Sequence, residues 1–310
     1  MSEFVINDQD LTGLKGKVVI VTGGSSGIGL ATVEKLLLLG ASVINGDIQP
    51  PPPPPPLKQD GHVSSDNNDT SSPPYTFVKT NVAVWDELVA LFKRARELHH
   101  GRLDHVFANA GIGPCADYLA LQLDHDGDPR EPAYDTLDVG LWGVMNTATL
   151  AIHYMRRQQQ DEAGGWSGSI VLTGSVVGLQ RLRAVDYATA KHGVLGFGRG
   201  LTTLVKTAGL PIRINTLMPS WTDSNVVPNL KRSMDRIGVE FQPTSVVARA
   251  AILMMADTTR HGHVTYVGRG RYKEIDEAVL LPAYASIKGD YPWEDDVFRR
   301  LVEIATQESS

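Results

Sequence analysis

Apolar and polar positions follow two rhythms along this chain. Short, nearly unbroken apolar runs at Val18–Val21, Ala41–Ile44, Tyr75–Val78, Asp104–Ala108, Ser169–Thr173, Ile212–Leu217 and Val264–Val267 predict about seven strands. Between them, apolar residues recur every three or four positions. That spacing predicts helices over Ile28–Leu39, Trp85–Leu98, Leu137–Met155, Asp186–Lys206 and Thr244–Met255. In the second of these, Leu88, Leu91, Phe92 and Ala95 share one face. Strands that are apolar throughout, alternating with helices, imply an α/β fold: a parallel sheet covered on both faces. Right-handed crossovers make the doubly wound form the expected one.

Two stretches break the rhythm. Pro50–Pro56 is an unbroken proline run, followed by a polar stretch that ends at Pro73-Pro74. Prolines donate no ladder bonds and the polar stretch has little to bury, so residues 49–74 read as a solvated insertion. Strand signals resume at once beyond it, which argues against a domain boundary. Beyond about residue 276 the chain outruns the last predicted strand. There Trp293–Gln307 reads as an acidic-started helix with Val297, Leu301 and Ile304 on one face. It would cover a site mouth or pack across a subunit interface. The expected layout is an extension at 1–13, one catalytic domain at 14–275 and a second extension at 276–310.

Composition narrows the class more than the fold. The chain has 310 residues, 42% hydrophobic and 21% charged, which suits one large domain or two modest ones. Cys115 is its single cysteine, so no intramolecular disulfide framework exists. A net charge of −6 announces neither nucleic acid nor anionic lipid as a partner. No window reaches eighteen uninterrupted apolar residues and the first residues lack a signal-peptide pattern, so a soluble, cytoplasmic protein is expected. Metal is not expected either. Asp124–Asp128 looks calcium-like, but Pro129 follows and its glycine is misplaced; His261 and His263 have no third ligand nearby. Cys115 lacks a partner motif and reads as structural.

Candidate chemistry begins after the first strand. Thr22-Gly23-Gly24-Ser25-Ser26-Gly27-Ile28-Gly29 opens into a helix. Glycines there allow a tight turn and close backbone approach to a pyrophosphate, and the helix N-terminus adds partial positive charge. Many strand–helix turns need glycine, so the turn alone decides little. Asp47 follows the second strand, about 18 residues after Gly29 and near the roughly 20-residue spacing of a ribose-binding acid. A carboxylate there accepts from the ribose hydroxyls and repels a 2′-phosphate, and the next basic residue is only at Lys58. NAD(H) is therefore the expected cofactor, with Asp47 as a solvated turn residue the alternative.

Tyr187 and Lys191 stand four apart on one helix face. A tyrosine with a pKa near 10 is a poor base at neutral pH. A nearby ammonium, joined by an oxidised nicotinamide, favours its phenolate. Tyr-x-x-x-Lys is common by itself. Ser175, just past the fifth predicted strand at the sheet edge where open α/β sheets bind ligands, supplies a third polar group that can hold a substrate oxygen.

Taken in order, Thr22–Gly29, Ala108-Asn109-Ala110-Gly111, Ser175, Tyr187 with Lys191, and Pro219 resemble the short-chain dehydrogenase/reductase family, in its single-domain oxidoreductase branch. The likeness runs from about residue 14 to 275, and the conjunction of motifs is specific where each alone is not. It implies a Rossmann fold and hydride exchange between a nicotinamide and a secondary alcohol or ketone. It also implies dimers or tetramers built on the two long helices. Ser175, Tyr187 and Lys191 would be catalytic, with Lys191 also gripping the nicotinamide ribose. Asn109, with Ala110 and Gly111, would line the adenosine ribose side. Asn81 and Val82 would meet the adenine. Pro219, Thr222 and Ser224 would hold the carboxamide.

Four departures stand out. Gly140 replaces the asparagine usual in the long helix, where a helix irregularity supports a water of the proton relay. Asn81 stands where aspartate is frequent, and Ser220 replaces the glycine after Pro219. The loop from Ser175 to Tyr187 is one residue shorter than the common form. Residues 221–243 correspond to the family's substrate lid. Val226, Val227, Leu230, Met234 and Ile237 there would suit a bulky hydrophobic substrate, or else pack as ordinary core. Trp142, Trp221 and Leu179 are further candidates for pocket walls. The insertion and tail resemble enzymes of fungal secondary metabolism that act on polyketide or terpenoid alcohols. A non-catalytic NAD(H)-binding sensor of the same fold is the alternative.

Overall fold

The computed structural model describes residues 2–52, 74–156, 158, 168–224, 226–227 and 229–308. Most of the proline-rich insertion, residues 53–73, therefore lies outside the described residues. The strands are β1 Glu3–Phe4, β2 Val18–Thr22, β3 Ser42–Asp47, β4 Tyr75–Lys79, β5 His105–Ala108, β6 Gly168–Thr173, β7 Ile212–Pro219, β8 Val264–Gly268 and β9 Arg271–Glu274. They form one sheet in the order β1-β9-β8-β7-β6-β5-β2-β3-β4. From β4 to β8 every neighbouring pair is parallel, while β9 joins β8 and β1 joins β9 antiparallel.

Among the described residues the sheet thus has nine strands, not the seven or so expected. The extra pair escaped the apolar pattern for physical reasons. β9 is Arg-Tyr-Lys-Glu, an edge strand that buries only Tyr272. The turn before it places Arg269 and Gly270 at φ 50° and 73°, the two left-handed positions that let a two-residue hairpin follow the twist of its strands. β1 is two residues long and completes the edge, while Ile6 and Leu11 behind it are buried. Residues 2–13 are thus tied into the sheet and core.

The helices are α1 Gly27–Leu38, α2 Trp85–Leu98, α3 Asp135–Leu137, α4 Gly143–Met155, α5 Val185–Thr207, α6 Leu230–Ile237, α7 Thr244–Ala256, α8 Leu281–Lys288 and α9 Glu294–Glu308. In β2, Val18 and Ile20 face a core shared with α2, α4 and α5, while Val19 and Val21 face one shared with α1 and α7. Two-sided burial is why the strand reads as a continuous apolar run. The chain winds outward through β3 and β4 on one side of β2 and through β5 to β8 on the other. A crevice therefore opens at the carboxyl ends of β2 and β5.

Buried Arg213 on β7 closes the far end of α7. Its guanidinium donates to the carbonyls of Met254, Met255, Asp257 and Arg260 at 2.7–2.9 Å, covering acceptors that a helix end leaves open. Past Ile275 no described residue is buried. The predicted tail helix is present as α9, with Phe298, Leu301 and Ile304 exposed. The root of this arm is fixed by Arg199, 2.6 Å from Asp276.

Candidate active site

The glycine turn after β2 and Asn109–Ala110 after β5 meet at the crevice. The turn after β2 holds Gly23 at φ +68° and Gly27 at +54°, conformations that side chains rarely adopt. A Cβ on Gly23 would lie 2.8 Å from Ala110 Cα, and one on Gly29 would collide with the Gly23 carbonyl oxygen. Helix α1 has no side-chain cap at Ser26, and its first-turn N–H groups precede the bond from Leu30 N–H to Ser26 O. A bare, glycine-walled helix N-terminus of this kind fits a pyrophosphate.

The turn is braced from both neighbouring strands. Asp47 Oδ2 accepts the Ser25 N–H at 3.0 Å, and its other oxygen accepts from Gln49 N–H at 3.2 Å. Buried Asn45 on β3 donates to Ser25 Oγ and to the Tyr75 hydroxyl, each at 3.0 Å. Asn45 was not anticipated; it lies just past the apolar run that predicted the strand. On the other side Asn109 donates to the carbonyls of Thr22 and Gly23 at 3.2 and 3.3 Å. Thr22 Oγ1 in turn accepts from the N–H groups of Asn109 and Ala110 at 3.1 and 3.3 Å.

Asn81 Oδ1 accepts the Ala83 N–H at 3.0 Å, and its own N–H goes to Glu87 at 2.7 Å. Val82 is buried. Thr222 Oγ1 donates to Ser220 O and accepts from Gln242, whereas a Cβ on Gly27 would touch Ser224 Cβ at 3.3 Å. Ser224 therefore overhangs the glycine turn.

Ser175, Tyr187 and Lys191 converge past the end of β6. Ser175 is buried, accepts from Val177 N–H at 3.2 Å and donates to Pro219 O at 3.4 Å. Its side chain also bonds the Tyr187 phenol. Burial pushes that phenol above its ordinary value, and the Ser175 bond opposes the push. Lys191 is 3% exposed, and burial lowers it to about 8. Its Nζ lies 5.6 Å from the centre of the Tyr187 ring and donates to Thr173 O at 2.9 Å. The ammonium is thus turned towards the β6 carbonyl. Thr173, unanticipated, joins the two halves of the site, since its hydroxyl also reaches Asn109 Oδ1 at 3.4 Å.

These residues match a known design. A family model described as short chain dehydrogenase matches residues 17–235. The chain belongs to the short-chain dehydrogenase family. It is accordingly an oxidoreductase acting on CH–OH groups with a nicotinamide cofactor. It is 47% identical over 306 residues to the short-chain dehydrogenase/reductase ascJ of Acremonium egyptiacum, spanning 98% of this chain and 96% of that protein. It is 31% identical over 239 residues to the 5′-hydroxyaverantin dehydrogenase of Dothistroma septosporum, spanning 74% and 75% of the two chains. Among solved structures it resembles 3-hydroxyacyl-CoA dehydrogenase type-2 from Mycobacterium avium. That match has a TM-score of 0.62 and 26% identity, covering 81% of this chain and 94% of that one.

The remaining expectations distribute around this family site. The segment Asp138–Trp142 between α3 and α4 is a π turn containing buried Gly140, which is the irregularity anticipated there. In the lid, Val226 and Val227 precede α6. Leu230 and Met234 are buried, and Ile237 is 68% exposed. Trp142, Trp221 and Leu179 stay exposed. His261 and His263 lie beside β7, where His261 Nδ1 accepts from Ile214 N–H and His263 N–H donates to Asn215. Asp124 Oδ1 accepts the N–H groups of Asp126 and Asp128 at 2.9 Å, closing a solvated turn. Among the described residues, no helix is long and apolar enough to cross a membrane.

Proposed function

We propose that the chain is an NAD(H)-dependent oxidoreductase that interconverts a secondary alcohol and a ketone on a bulky, largely hydrophobic small molecule. The convergence of Ser175, Tyr187 and Lys191 beside the glycine turn carries this reading. The named relatives support the substrate class, because a polyketide-like or terpenoid alcohol suits a lid with exposed apolar positions. The same likeness supports a homodimer or homotetramer and a cytoplasmic enzyme.

Thr22 to Gly29, Asp47, Asn81, Val82 and Asn109 to Gly111 would hold the adenosine and pyrophosphate half of the cofactor. Pro219, Thr222, Ser224 and Lys191 would hold the nicotinamide half. When bound, the nicotinamide supplies the hydride acceptor or donor. Ser175 donates a hydrogen bond to the substrate oxygen, and Tyr187 takes the hydroxyl proton in oxidation or returns it in reduction. Since burial raises the phenol, its proton stays on at neutral pH until a neighbouring positive charge favours the phenolate. A screen of hydrophobic secondary alcohols with NAD⁺, read by NADH absorbance, tests the reading. Turnover is expected with at least one of them, and turnover only with NADP⁺ would overturn the cofactor assignment.

Two substitutions sharpen this picture. Asp47→Ala removes the carboxylate that repels a 2′-phosphate, and it also releases the Ser25 N–H. The ratio of kcat/KM for NAD⁺ over NADP⁺ is expected to fall about tenfold or more. Gly140→Asn adds a side chain whose Cβ would meet only Ala190 Cβ, at 3.6 Å, an ordinary contact distance. Turnover is expected to rise severalfold as the relay gains its polar group. Unchanged or lower turnover would show a site adapted to glycine.

A further inference from the structure

Asp186, next to Tyr187, is 1% exposed, and the reaction as described does not use it. Its Oδ2 accepts the N–H groups of Cys115 and Ala116 at 2.8 and 3.1 Å, and its Oδ1 accepts the Tyr187 N–H at 2.8 Å. The Thr136 hydroxyl lies beside it, with its proton directed at Gly113 O. Burial alone would raise this carboxyl; the bonds outweigh it and hold the group below its ordinary value.

The segment it grips begins at the cofactor loop and runs along α5. A Cβ on Gly111 would lie 3.7 Å from Lys191 Nζ, while Cys115 and Ala116 meet Asp186. Asp186 and Lys191 flank Tyr187 on α5, so the two contacts bracket the turn that carries it. Thr136 secures it from α3, donating to Gly113 O at 2.9 Å and approaching Cys115 Sγ at 3.1 Å. On its outer side Gly113 abuts the Val226 carbonyl so closely that a Cβ would collide with it. The segment thus sits between the helix that carries Tyr187 and the lid.

We propose that Asp186 is a positioning residue that fixes one wall of the substrate site beside Tyr187, by clamping Gly113–Ala116 to the start of α5. The inference rests on the oxidoreductase reading. Its consequence is a binding effect on substrate separable from cofactor binding and from proton transfer.

The test is steady-state kinetics with an alcohol found in the screen, NADH binding by fluorescence, and the labelling rate of Cys115 with a thiol reagent. The proteins are wild type, Asp186→Asn and Thr136→Val. Asp186→Asn keeps the size but turns an acceptor into a donor, and Thr136→Val keeps the shape without the hydroxyl. Expected are a KM raised about tenfold in Asp186→Asn and about threefold in Thr136→Val, with kcat and NADH affinity within about twofold. Cys115 should label about tenfold faster in Asp186→Asn, because its main-chain anchor is lost. An unchanged KM in both variants overturns the proposal, whether stability or kcat falls or not. If the wild-type enzyme oxidises no alcohol, the oxidoreductase reading fails instead. The thiol rates then decide on the clamp, and equal rates in wild type and Asp186→Asn overturn it.

Discussion

Tyr187→Phe should lower turnover about a thousandfold while leaving NADH affinity within about twofold. The phenol hydroxyl is the only atom removed, and the glycine turn, Asp47 and Asn109 do not depend on it for their bonds. Ser175 remains anchored through Val177 N–H and Pro219 O, so the oxygen-holding group keeps its place. What disappears is the proton carrier. Kinetics at saturating cofactor, paired with fluorescence titration of NADH, separates the two effects. Lost cofactor binding would mean that the hydroxyl supports the cleft instead. Retained turnover would place the proton transfer elsewhere.

The largest expected effect on stability belongs to Arg213. Arg213→Leu removes four charged hydrogen bonds at once and takes this donor from the carbonyls of Met254, Met255 and Asp257 at the end of α7, while Arg260 O keeps Asn215 Nδ2. Hydrogen bonds to charged groups contribute about 1.5–3 kcal/mol each. Desolvation of the guanidinium, visible in a value lowered to about 10, offsets part of that sum. A net loss of about 4 kcal/mol is expected, read as a lower urea midpoint at unchanged slope. Arg213→Lys keeps the charge and up to three donors, and should recover part of the loss. A Leu variant as stable as wild type would show that water or backbone movement satisfies those carbonyls.

Legibility in the sequence followed the physics of each part. Buried parallel strands such as β2 and β6 put apolar residues on both faces, so their positions were plain from pattern alone. β1 and β9 lie at the sheet edge and carry few apolar residues, and a left-handed Arg269-Gly270 turn pairs β9 with β8. No apolar rhythm marks such strands. The glycine turn and the Ser175, Tyr187 and Lys191 positions were legible because backbone approach and proton chemistry restrict residue type. The supporting bonds were not. Thr173 reaches Lys191 through a main-chain carbonyl, which any residue possesses. Asp186 earns its place through N–H groups about seventy positions earlier in the chain. Spacing places Lys191 on the face of Tyr187, but not which acceptor its ammonium meets.

The most direct measurement follows the hydride itself. An alcohol substrate deuterated at its carbinol carbon is incubated with NAD⁺ and the enzyme, and the reduced cofactor is analysed by mass spectrometry. The account predicts NADH carrying the deuterium with wild-type enzyme, and almost none formed with Tyr187→Phe. Unlabelled NADH, or labelled NADH formed equally fast by Tyr187→Phe, would contradict it.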